Sequence, residues 1–135
     1  RKLAHVCEHV TYNAWPEGAA SSEIDYLTLL AAYVFEKYVS QNKLVVITSE
    51  QGCGRPGTFA LALSLLKEAA TRALTSKDVL KIGVEIRRAR YSAISGPMQF
   101  GFGISLALSV HAHRLRDKEL RKMSSELFVS CRADM

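Results

Sequence analysis

Apolar positions recur along this 135-residue chain with two different periods. Ile24, Leu27, Leu30, Ala31, Val34 and Tyr38 fall at helical spacing. Ser21 and Ser22 can cap that helix, Glu23 and Asp25 suit its first turn, and it should end near residues 41–42. Val6, Val10 and Tyr12 alternate, which predicts a strand within residues 3–13. The β-branched run Val45-Val46-Ile47 predicts a short buried strand over residues 43–48. Trp15-Pro16-Glu17-Gly18 is a breaker cluster and reads as loop. A second helix should follow over residues 60–72. Ser76 caps a third, with Asp78 in its first turn, Val79, Ile82 and Ile86 on one face, and an arginine-rich last turn that suits the helix dipole. Residues 100–110 send two signals. Phe100, Phe102, Ile104, Leu106, Leu108 and Val110 alternate as in a strand, yet Phe100, Ile104, Leu108 and His111 share a helical face. Residues 111–127 are charged with spaced leucines and read as helix.

Composition narrows the class without naming a function. Hydrophobic residues make up 48% and charged residues 23%, a globular balance in a chain long enough for one modest domain. No apolar run reaches the length of a bilayer span, and the first residues lack a signal-peptide pattern. Cys7, Cys53 and Cys131 are an odd, scattered set with neither a disulfide framework nor metal spacing, which points to a reducing, cytoplasmic setting or the cytoplasmic part of a larger protein. His111 and His113 do not share a helix face and have no third ligand, so no metal or cofactor is expected. The net charge of +5 favours anionic partners: nucleic acid, an acidic surface or phosphorylated peptide. Basic clusters at Arg87-Arg88-Ala89-Arg90 and over residues 114–122 carry no interleaved aromatics, so nucleic acid finds little support. The first cluster also reads as a helix end satisfied by cations.

Chemistry concentrates where the run 45–48 enters Ser49-Glu50-Gln51-Gly52-Cys53-Gly54-Arg55-Pro56-Gly57-Thr58-Phe59 and a helix-forming run leaves it. Strand, glycine turn and helix make an anion site: turn amides point inward and the helix N-terminus adds a positive dipole end. Arg55 adds a charged fork suited to a phosphoryl group. Dinucleotide binding is disfavoured, because the next segment is capped as a helix where a second parallel strand is needed, and Pro56 removes a donor. A nucleotide-triphosphate loop is excluded, since no lysine precedes Thr58.

The loop resembles that of the protein tyrosine phosphatases, V-H-C-S-A-G-x-G-R-[ST]-G-[TA]-[FY]. Anchoring on Gly52, Gly54, Arg55, Gly57, Thr58 and Phe59 places Ser49 at the nucleophilic cysteine, six positions before Arg55. A second motif agrees: His9-Val10-Thr11-Tyr12 followed by Trp15-Pro16-Glu17-Gly18 is similar to the family's strand and mobile W-P-D-x-G acid loop. A third, residues 86–102, is similar to L-R-x-Q-R-x-x-M-V-Q-T-x-x-Q-Y-x-F, and by that register Gln99 and Phe100 open a helix. The resemblance covers most of the chain and about the C-terminal half of the family's domain. It implies an α/β fold with a mixed central sheet flanked by helices. It also implies a single partial domain over residues 1–135, with acid loop 15–18, phosphate loop 49–55 and glutamine loop 95–99. The N-terminal half, with the family's phosphotyrosine-recognition loop, is expected in the full protein.

Several chemical positions depart from the family together. Ser49 stands where a thiolate would attack phosphorus, and Thr48 stands where the family has histidine, so no base is evident beside it. Cys53 lies inside the loop, two residues from Arg55, and does not restore the spacing. Glu17 replaces the general-acid aspartate with a longer arm, which shifts the carboxyl. Pro56 replaces the hydroxyl after the arginine, and Ser95 the first glutamine of the water-positioning loop, while Gln99 keeps the second. The cradle of Ser49, Glu50, Gln51, Gly52, Cys53, Gly54 and Arg55 retains its glycines and its arginine, although Glu50 would repel a dianion if it turned inward. The resemblance with these departures implies a pseudophosphatase, a regulatory or scaffolding module for a protein partner bearing phosphotyrosine. The alternatives are a phosphatase in a Cys-to-Ser inactivated form and a pure protein-interaction domain with a vestigial pocket.

Overall fold

The computed structural model describes residues 4–17, 20–116 and 118–133, and all regular structure among them is helical. α1 (Ile24–Val34) passes into a π-helical turn, Phe35–Val39. α2 (Arg55–Ala69) and α3 (Ser76–Ala89) follow, then α4 (Pro97–Leu115) and α5 (Lys118–Ala133).

The starts of α1, α2, α3 and α4 carry local signals. Ser21 lies just outside α1: its Oγ accepts the Glu23 N–H at 3.2 Å and donates to the Ala14 carbonyl at 3.1 Å. The N-cap of α1 is Glu23, with no side-chain cap, so neither Ser21 nor Ser22 caps the helix as expected; Ser21 instead ties the residue before the helix to the segment around Ala14. The helix ends at residues 40–42, where Asn42 adopts φ +55° and the Lys43 N–H returns to the Tyr38 carbonyl. α3 is capped by Thr75, one residue before the expected Ser76, in a reciprocal box with Asp78. The Thr75 hydroxyl accepts the Asp78 N–H, and the Asp78 carboxylate accepts the Thr75 N–H at 2.8 Å. α2 and α4 carry Pro56 and Pro97 in their first turns, where the missing donor costs nothing.

α4 is the middle of the molecule, packed on α1, α2 and α5. Phe102, Leu106 and Val110 are fully buried on it, together with Leu27, Ala31, Leu61 and Ala62 from α1 and α2. Two hydroxyl pairs stitch it to its neighbours: Thr28 with Ser109 at 2.8 Å, and Ser105 with Ser124, whose Oγ atoms each donate to the other's carbonyl at 2.8 Å. The continuous helix expected over residues 111–127 is two helices, because Arg116 takes a left-handed φ of +54° and ends α4.

Among the described residues there is no strand and no mixed central sheet; this corrects the expected α/β class. Residues 4–16 and 43–49 carry no regular secondary structure, and no ladder hydrogen bond joins them to each other or to any other described segment. Residues 43–49 keep the period-two alternation of a strand. Val45, Ile47 and Ser49 are half-buried while Leu44 and Val46 stand 89% and 75% exposed. The apolar, β-branched pattern records a preference for extended backbone. It does not supply the neighbouring strand whose N–H and C=O groups would complete a sheet.

Candidate functional site

The loop 49–55 is held from four directions. Its shape comes from Gly52 and Gly54, at φ +69° and +74°, a region that costs other residues strain. The Gly52 N–H donates to Ser49 Oγ at 3.0 Å, folding the loop over the serine. Gly54 starts α2: its carbonyl accepts the Thr58 N–H at 2.9 Å and the buried Thr58 hydroxyl at 2.7 Å.

The segment after α3 closes one side. Arg90 Nε donates to the Gly52 carbonyl at 2.9 Å, and the Gly54 N–H donates to the Ser92 carbonyl at 3.1 Å. A Cβ on Gly54 would lie 2.6 Å from Gln99 Oε1 and 2.8 Å from Ser95 Oγ, so the segment 95–99 rests directly on the loop 49–55. Gln99 is 2% exposed; its Oε1 accepts the Ser95 N–H at 3.0 Å. Its Nε2 is buried with no hydrogen-bond partner among the described residues.

The segment 15–17 closes another side. Arg55 Nη1 donates to the Trp15 carbonyl at 2.9 Å. Trp15 is itself buried, its ring edge-on to Phe102 with centroids 5.2 Å apart. The Arg55 Nε is buried and unpartnered among the described residues. Two donors, one on a full cation, are thus left without acceptors at the loop, an arrangement complementary to an oxyanion.

The structure therefore brings Ser49, Arg55, Ser95 and Gln99 to one place, with Trp15 at its edge. Glu17 is exposed two residues beyond the Arg55–Trp15 contact, and Gly18 lies outside the described residues. Glu50 and Gln51 are exposed, and Cys53 is half-buried with its Sγ 3.6 Å from the Gln51 carbonyl. Pro56 is buried at the start of α2. An open hollow of about 300 Å³, lined by Val39, Asn42, Lys43, Leu44, Val45 and Lys67, contains none of these residues. Two contributions escaped the sequence reading: Arg90 as a clamp on the Gly52 carbonyl, and the Trp15 carbonyl as a seat for Arg55. The Arg87–Arg90 cluster was the only trace of the first. The second runs through backbone and leaves none.

Among the described residues no group of three or more His, Cys, Asp or Glu is placed to hold a metal ion, and no helix is long and apolar enough to cross a membrane. The family model for protein-tyrosine phosphatase matches residues 1–109. No curated protein and no solved structure matches the chain.

Proposed function

The chain belongs to the protein-tyrosine phosphatase family, and we propose that it is a pseudophosphatase that binds a phosphotyrosine-bearing protein segment without hydrolysing it. The observation that carries this reading is Ser49. It stands at the nucleophile position of the family's loop, and its Oγ accepts the Gly52 N–H. Its own proton has no acceptor among the described residues, so no base activates it. An unassisted serine hydroxyl ionises far above neutral pH and does not displace an aryl oxygen from phosphorus. Glu17, Pro56 and Ser95 alter the acid, the leaving-group and the water-positioning functions in the same direction. Binding is favoured by the α2 N-terminus, the unpartnered Arg55 Nε and the unpartnered Gln99 Nε2, while the Gly52, Gly54 and Arg55 N–H groups are taken by Ser49 Oγ and by the Ser92 and Cys53 carbonyls. The role is regulatory or scaffolding, in the cytoplasm, with a phosphoprotein as partner.

Calorimetric titration with a phosphotyrosyl peptide, alongside an aryl-phosphate assay, tests this. The native chain should bind the peptide and release no phosphate, and Arg55→Ala should weaken binding at least about tenfold, the loss of one charge-assisted bidentate contact. Ser49→Cys should leave turnover negligible, because the other three altered positions remain. Brisk turnover by that variant would favour a phosphatase inactivated at one residue. Binding that survives Arg55→Ala would favour an interaction domain with a vestigial pocket.

A further inference from the structure

α3 buries one face and leaves the other with a composition that the loop does not explain. It packs on α2, and Gly83 faces the ring of Phe100 on α4, where a Cβ would lie 2.6 Å from the ring. Val79, Ile82 and Ile86 are partly buried against the core. On the opposite side, steps of three and four residues line up Lys77, Leu80, Lys81, Val84, Arg87 and Arg88, all exposed. Leu80 is 58% and Val84 47% exposed, and Tyr91, just past the helix, is 88% exposed. None of the four cations makes an ion pair among the described residues. Of the nearby carboxylates, Asp78 is taken by Arg72 at 3.1 Å and by Thr75, and Glu85, four residues after Lys81 and three before Arg88, makes no ion pair with either among the described residues, so the face keeps an excess of positive charge.

We infer that this outer face of α3 docks the protein on an anionic lipid surface. The face is a convex ridge of two aliphatic side chains between cations. On a membrane the aliphatic groups enter the headgroup boundary while lysine and arginine heads meet lipid phosphates and carboxylates. An acidic peptide would need a groove to bury its own apolar residues, and a ridge offers none. The chain's net charge of +5 adds long-range attraction to the same surface.

Co-sedimentation of the native chain with phosphatidylcholine vesicles, with and without phosphatidylserine, tests the inference. Binding should require phosphatidylserine and fall with added salt. The double variant Lys81→Ala/Arg88→Ala should weaken it roughly fivefold per cation removed. Leu80→Ala/Val84→Ala should weaken it several-fold with the charge intact, and both variants should keep the native circular dichroism. Four results would overturn the inference: no binding to phosphatidylserine vesicles, equal binding to phosphatidylcholine alone, binding unchanged in both double variants, or an acidic peptide bound at this face by a chain that ignores the vesicles.

Discussion

Gly54 sits at φ +74° with Gln99 and Ser95 where a side chain would begin. Gly54→Ala should therefore destabilise the chain by about 1–3 kcal/mol, through left-handed strain and the displaced glutamine. Chemical denaturation would read that cost, and phosphotyrosyl-peptide affinity should fall with it; an unchanged midpoint would mean that the two loops do not bear on each other. At this scale the sequence was informative about spacing. Ser49, Arg55 and Gln99 could be singled out because each motif is read within a short stretch of chain. What secures them could not be placed: Arg55 to Trp15 spans 40 positions, and Arg90 to Gly52 spans 38. No local pattern encodes such pairs, since the acceptor in each is a backbone carbonyl that every residue possesses.

The helices were legible because their signals are local. Apolar spacing and first-turn acids lie within the element, so the helices expected around residues 24–41 and 76–90 appear close to their places, whereas α2 starts five residues before the expected residue 60 and the helix expected over 111–127 is divided between α4 and α5. The expected strands are different: a strand is completed by a neighbour that its own residues do not specify. One of them is nevertheless held in place by side chains. Glu8 accepts hydrogen bonds from Lys37 Nζ at 2.8 Å, from the Tyr33 hydroxyl at 2.6 Å and from the Tyr38 hydroxyl, which ties residues 4–13 to the end of α1. The Lys37 hydrogen bond, then those of the tyrosines, hold the Glu8 carboxyl down from 4.5 to about 2. A carboxyl depressed in the folded state contributes stability that is present above its unfolded value and lost as pH falls through the folded one. The stability difference between the native chain and Glu8→Gln should thus be largest above pH 4.5 and shrink as pH approaches 2. The pair is solvent-exposed, so added salt should reduce the difference. Thermal unfolding across that window would show it, and a difference independent of pH would rule out the carboxylate as the tie.

α4 shows at the scale of the whole molecule why one pattern could carry two readings. Residues 100–110 alternate like a strand because nearly every side of the helix meets protein: α1, α2 and α5 surround it, and small residues alternate with large ones around its circumference. A helix buried all round loses the polar face that would declare its period. Phe102 is its centre, fully buried, with Trp15 on one side and Phe128 at 5.8 Å on the other. Phe102→Ala should cost about 3–5 kcal/mol. It should also release Trp15, the single tryptophan, so its emission should move to longer wavelength before global unfolding. Emission that stays put would separate the acid-loop segment from the core. By itself the sequence determined the family and most of the helical segments, because each is written in residues close together along the chain. Only the tertiary structure decided that the expected strands go without a sheet, that α4 is the central helix, and that Arg55 rests on Trp15 while Arg90 clamps Gly52. Those outcomes depend on which distant backbone groups and surfaces meet, and burial and hydrogen-bond pairing settle that only when the whole chain is folded.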